Sequence, residues 1–145
     1  MKPRIMIVDD EESFAKTLAE RLTIRDYDVT VSFNGNDALE KIKNLNFDVV
    51  ILDVAMPEID GIDALREIKK LKPLTEVIML TGQATVETAI EGMKLGALDY
   101  LMKPCETEEL AEKINKAYER KAAQDERIRE ARVKEIINSP RSVLK

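Results

Sequence analysis

Short apolar runs alternate with amphipathic stretches through the first 120 or so residues, and this alternation leaves few folds open. Residues 4–8, 29–33, 47–52, 77–80 and 98–102 read as five strands, and the third is almost continuously apolar, as a strand covered on both faces is. Between them, four-residue spacings such as Phe14, Leu18 and Leu22 predict helices with a single apolar stripe. Asn34-Gly35 reads as a turn after the second strand, with Asn36 as the cap of a helix carrying Ala38, Leu39 and Ile42. Ile62, Leu65 and Ile68 mark the third helix. The fourth runs from about Ala84 to Leu95 and stops at Gly96, and the fifth begins near Thr107 with Leu110, Ile114 and Ala117 inward. Five strands alternating with five helices imply an α/β, doubly wound fold, a parallel sheet with helices on both faces.

Right-handed crossovers bring the C-terminal ends of all the strands to one edge. The residues that leave the runs there are Asp9 and Asp10, Asp53, Thr81 and Lys103. In open α/β sheets that edge is where ligands bind. Each residue alone has a plainer reading. Asp9 and Asp10 could cap a helix whose first turn holds Glu11 and Glu12, Thr81 could cap the helix after it, and Lys103-Pro104 could be an ordinary turn. Tyr100 could be only a half-buried strand aromatic. Their convergence on one edge argues for the site.

Composition narrows the chemistry. The 145 residues contain no histidine, which excludes histidine general bases, histidine-ligated zinc and a phosphohistidine donor. One cysteine excludes an internal disulfide framework, and a net charge of −5 argues against a nucleic-acid-binding body. The apolar runs are too short to span a membrane, so a cytoplasmic chain is expected. Neither G-x-x-x-x-G-K-[ST] nor G-x-G-x-x-G occurs, against a nucleotide site. Three crowded carboxylates repel one another unless a cation intervenes, and a hard divalent ion such as Mg²⁺ suits oxygen ligands. Lys103 adds positive charge, so the set suits phosphate, with an aspartate as nucleophile.

The segments Ile7-Val8-Asp9-Asp10-Glu11, Ile51-Leu52-Asp53-Val54-Ala55-Met56-Pro57 with Asp60-Gly61, Leu80-Thr81-Gly82 and Tyr100-Leu101-Met102-Lys103-Pro104 resemble the response-regulator receiver domains of two-component signalling, of chemotaxis-regulator or nitrogen-regulation type. The resemblance covers residues 1 to about 120. It implies a flavodoxin-like (βα)5 fold with strand order 2-1-3-4-5. It implies that Asp53 accepts a phosphoryl group from a histidine kinase, with Mg²⁺ held by Asp10, Asp53 and the Ala55 backbone carbonyl and by Asp9 through water. Lys103 would pair with the acids and then the phosphoryl group, and Thr81 and Tyr100 would switch inward. That movement would reshape the surface of the fourth helix, fifth strand and fifth helix, for an output partner or a homodimer. The Lys103-Pro104 bond would be cis. Gln83 could hydrogen-bond near the water that reaches the acyl phosphate, while Ala55 has no side chain to orient it. Cys105 stands where phenylalanine is commoner and is expected to be a small buried hydrophobe.

Two rival readings are a metal-dependent phosphatase with an aspartate nucleophile and a receiver-shaped interaction module that is never phosphorylated. The first normally wants an acid two residues after the nucleophile, where this chain has Ala55. The intact acidic set argues against the second. Residues 1–120 form the expected receiver and 121–145 a charged tail. The tail holds seven basic and four acidic residues, leaving sixteen and twenty-four in the first 120. It reads as a solvated helical extension, broken at Asn138-Ser139-Pro140, with Lys121 and Gln124 spoiling a heptad begun by Ile114 and Ala117. Linker to an output domain and dimerising tail of a stand-alone regulator both fit. The tail leaves no room for a DNA-binding domain, so no direct nucleic-acid contact is expected.

Overall fold

Side chains of successive strand residues point to opposite faces, and in this chain both faces are covered. The structure, a computed structural model, describes residues 2–56, 60–82 and 85–138. β1 (Arg4–Val8), β2 (Asp28–Ser32), β3 (Val49–Leu52), β4 (Glu76–Thr81) and β5 (Asp99–Met102) form one parallel sheet in the order β2-β1-β3-β4-β5. This is the flavodoxin-like order expected. Met6, Val8, Val50, Leu52, Val77 and Met79 pack on one face against α2 (Gly35–Asn44) and α3 (Gly61–Leu71). Their alternates Ile5, Ile7, Val49, Ile51, Ile78 and Leu80 pack on the other against α1 (Glu12–Ile24) and α5 (Thr107–Asn138). Each such fully buried side chain contributes roughly 1.5–3 kcal/mol. The period-two pattern is invisible in β3 and β4 because both phases are apolar.

Helix starts follow side-chain chemistry. Asn34, in extended backbone, accepts a hydrogen bond from the Asp37 amide at 2.8 Å and caps α2. Asn36, the expected cap, already lies inside the helix, because Asn34 has the non-helical backbone that a cap needs. Asp60 caps α3 by accepting from the Ile62 amide. Thr85 and Thr88 cap α4 (Val86–Lys94) reciprocally. Gly96 follows with φ +108°, the left-handed conformation that ends helices and favours glycine. Ala84, Gln83, residues 57–59, and Ser139 with Pro140 fall outside the described residues.

The strands differ from the expected runs by a residue or two. Phe47 is buried but precedes β3, while β2 takes in Asp28 and ends at Ser32, before Phe33. α5 is continuous for 32 residues across the change in composition near 121. Its inner stripe is Leu110, Ile114 and Ala117, and beyond it Ile128, Val133, Ile136 and Ile137 are exposed. No helix among the described residues is long and apolar enough to cross a membrane.

Candidate functional site

The hydrogen-bond ladder runs one residue past the ends of the strands and fixes the site. The Asp9 amide donates to Ser32 O at 3.0 Å, the Asp53 amide to Val8 O at 2.9 Å and the Lys103 amide to Thr81 O at 3.0 Å. Val8 faces Leu52 in the parallel register, so Asp9 and Asp53 emerge side by side. Thr81 faces Met102, which sets Lys103 one step beyond on the neighbouring strand. Four sequence-predicted residues thus reach one edge on backbones held by the sheet.

The loop after β3 needs a close approach by α3. A Cβ on Gly61 would stand 2.2 Å from Val54 Cα and 2.6 Å from Asp53 O, and the Gly61 amide bonds Val54 O at 3.1 Å. Only glycine fits there. Gly61 therefore lets the start of α3 brace the backbone of the central aspartate.

One carboxylate oxygen each from Asp9, Asp10 and Asp53 lies within 4.8 Å of the others. Asp9 and Asp53 are buried, 2% and 4% exposed, whereas Asp10 lies further out. Three acids this close with two of them buried form a poor resting arrangement and a good cradle for a hard divalent cation. The donor set, all oxygen, fits Mg²⁺. Ala55 is drawn to the same point, its amide donating to Asp53 Oδ1 at 3.0 Å.

Lys103 bridges the acids. Its Nζ lies 2.7 Å from Asp9 Oδ2, 3.0 Å from Glu11 Oε1 and 3.4 Å from Asp53 Oδ2. The Lys103-Pro104 peptide is cis. Burial pushes the Asp9 carboxyl above its ordinary 3.8; the Lys103 and Glu11 hydrogen bonds oppose this, and the Asp53 charge reinforces it. Burial also works against the Lys103 charge. Hydrogen bonds to Asp9 and Glu11, with the charges of Asp9 and Asp53, outweigh it and raise the ammonium above 10.5. The lysine stays charged, and the acid beside it is the group that suffers.

Thr81 is fully buried at the end of β4, and the cap of α4 is Thr85, so the capping reading of Thr81 does not hold. Tyr100 packs its ring against the α2–α3 face of the core, with its hydroxyl buried and without a hydrogen-bond partner among the described residues. Cys105 is half-buried against the α1–α5 face, and burial pushes its thiol up. Two participants escaped the sequence reading. Glu11 and Phe14, at the start of α1, both meet the Lys103 ammonium, the Phe14 ring centre at 4.1 Å. Glutamate at a position that favours short capping residues was the available signal for Glu11. Phe14 looked like any stripe residue.

A five-stranded 2-1-3-4-5 sheet with three acids and a lysine at its C-terminal edge defines a doubly wound α/β domain with an acidic pocket. The family model for the response regulator receiver domain matches residues 5–115, and the chain belongs to that family. Among curated relatives, the transcriptional regulatory protein ZraR of Salmonella typhimurium is 42% identical over 113 residues, covering 78% of this chain but 26% of ZraR. The chain thus spans about a quarter of that relative's length. The chemotaxis protein CheY of Thermotoga maritima is 37% identical over 117 residues, covering 80% of this chain and 98% of that protein. A solved CheY-like receiver domain from Methanospirillum hungatei superposes with TM-score 0.83 at 30% identity, covering 86% of this chain and 99% of the other.

Proposed function

We propose that this domain accepts a phosphoryl group from a histidine kinase onto Asp53 in a Mg²⁺-dependent step, and that the change at Asp53 alters the surface formed by α4, β5 and α5. The observation that carries the reading is the joint placement of Asp9, Asp10 and Asp53 oxygens within 4.8 Å, with the Lys103 ammonium 3.4 Å from Asp53. An Asp53 carboxylate oxygen bonds to phosphorus as the phosphorus–nitrogen bond of the phosphohistidine, protonated on its other ring nitrogen, breaks, leaving an acyl phosphate and a neutral imidazole. Asp10 and Asp53 would hold the cation directly, with the Ala55 carbonyl, and Asp9 through a water. A bound divalent cation offsets the charge of the phosphoryl oxygens. Lys103 offers a second positive charge to the same oxygens. In this reading the domain carries the group and does not turn over substrate, since Ala55 offers no acid to activate water.

Thr81 and Tyr100 form the proposed switch. The buried Tyr100 hydroxyl, which has no hydrogen-bond partner among the described residues, supports this, because such a group costs free energy until it finds a partner. The receiving surface carries exposed apolar side chains. Val86, Ile90 and Met93 make an exposed stripe along α4, and Met102 on β5 is exposed too. An output domain or partner protein, or a second copy of the chain, would cover it, and the exposed end of α5 offers a second surface for pairing. We assign residues 1–120 to the receiver and 121–145 to a charged extension, either a linker to an output domain or a dimerising tail, in a cytoplasmic setting. The test is labelling with a small phosphodonor and Mg²⁺: Asp53→Asn is expected to abolish acid-stable, alkali-labile label. Undiminished label in the variant would refute the assignment.

A further inference from the structure

Glu11 sits at the cap of α1, yet its side chain accepts no bond from the first amides of the helix. Ser, Thr, Asp and Asn are the residues that serve there, because their short side chains reach those amides. The Glu11 carboxylate instead crosses to Lys103, 92 residues away in sequence, at 3.0 Å. Its backbone is held independently, the amide by Asp9 Oδ1 at 2.9 Å and the carbonyl by the Ala15 amide at 3.0 Å. One turn later the Phe14 ring faces the same ammonium. The first turn of α1 is therefore shaped around Lys103.

The three carboxylates on that ammonium are not equivalent. The Asp9 and Asp53 side chains are 3% and 4% exposed, and that of Glu11 is 64% exposed. Both shorter contacts, to Asp9 and Glu11, lie on the β1–α1 side, and the contact to Asp53 is the longest. Water can replace the lysine at Glu11 at little cost, whereas a buried acid has no such substitute. We propose that Glu11 is a positioning residue that holds the Lys103 ammonium on the α1 side of the pocket at rest and yields it when a phosphoryl group reaches Asp53. This rests on Asp53 being the phosphoacceptor. Glu11 does not touch the phosphoryl group. It limits the rate at which the lysine becomes available.

The experiment compares Glu11→Gln and Glu11→Ser with the unaltered full-length chain, using phosphoramidate and Mg²⁺, and repeats the set in a Lys103→Met background. Glu11→Ser restores a capping side chain, so the helix keeps its stability while the tether is lost. Both variants are expected to label about three to five times faster, the scale of one exposed ion pair. The acceleration is expected to vanish in Lys103→Met. The nitrogen-15 signal of the Lys103 ammonium should shift in Glu11→Gln before any donor is added, a readout that a purely structural role would not move. Unchanged or slower labelling in both variants, or acceleration that persists in Lys103→Met, overturns the proposal. Failure of the phosphoacceptor reading looks different: label would be retained in Asp53→Asn. The ammonium signal would still report whether Glu11 holds the lysine.

Discussion

At Asp9, 2% exposed beside two other acids, burial works against the charged carboxylate, and the Lys103 hydrogen bond only partly offsets this. A ligand that binds only the folded pocket stabilises the chain by mass action. Added Mg²⁺ at tenfold its dissociation constant is therefore expected to stabilise the fold by about 1.4 kcal/mol, and chelator to remove the gain. Asp10→Asn should lose most of that response while the fold persists, because Asp10 lies nearest the surface of the three. Calorimetric melting with and without chelator checks this, and an equal Mg²⁺ response in the variant would remove Asp10 from the ligand set. At this scale the sequence was most readable where an apolar run ended abruptly in a charge, as Leu52 does at Asp53. It was silent where a residue does ordinary duty in its own element and extra duty elsewhere. Phe14 fits the α1 stripe so well that nothing in its spacing points across to Lys103.

Among the elements, α2 shows how a cap can be welded to the strand before it. The Asp37 side chain accepts from the buried Ser32 hydroxyl at 2.6 Å and pairs with Lys41 at 2.8 Å, while its amide is held by Asn34. The Lys41 hydrogen bond, followed by that of Ser32, holds the Asp37 carboxyl below 3.8, against a smaller opposing effect of burial. A folded value below the unfolded one means stability that is present above about 3.8 and is lost as pH falls through the lower folded value. Asp37→Ala is expected to lower the melting temperature at pH 6. Its deficit against the unaltered chain should shrink steadily below pH 3.8. A deficit of equal size at pH 6 and at pH 2.5 would contradict the charged role. The displaced cap, Asn34 in place of Asn36, comes from the same place: two asparagines flank Gly35, and only backbone conformation decides between them. Strand limits were similarly hidden. β4 gains Glu76 because its amide finds Asp48 O on the neighbouring chain segment, a partnership that local hydrophobicity cannot reveal.

For the molecule as a whole, the strand–helix alternation was enough for a parallel sheet, and the motif order supplied 2-1-3-4-5, since periodicity alone does not choose among strand orders. The inner stripe of the first half of α5 was readable, but the ion pairs that fasten its middle were not, because those partners lie far apart in sequence. Asp48, just before β3, accepts from the Arg4 amide at 2.8 Å and meets Lys121 at 3.5 Å. Arg120 lies 3.8 Å from the buried Glu76 at the start of β4. Asp48→Ala should loosen α5 locally, raising amide hydrogen exchange around 118–125 by about fivefold, the equivalent of roughly 1 kcal/mol. Exchange in the central strands should stay as it was; uniform acceleration there would mean a global defect instead. These two fastenings sit at the end of the sheet opposite the acidic pocket, and beyond them 17 helical residues continue to Asn138. At 1.5 Å per residue that free portion is a stiff spar of about 26 Å, so a tilt of only about 5° at its root swings the far tip by about 2 Å. Any such tilt at the root of α5 would reach its tip as a displacement larger than the one beside the sheet.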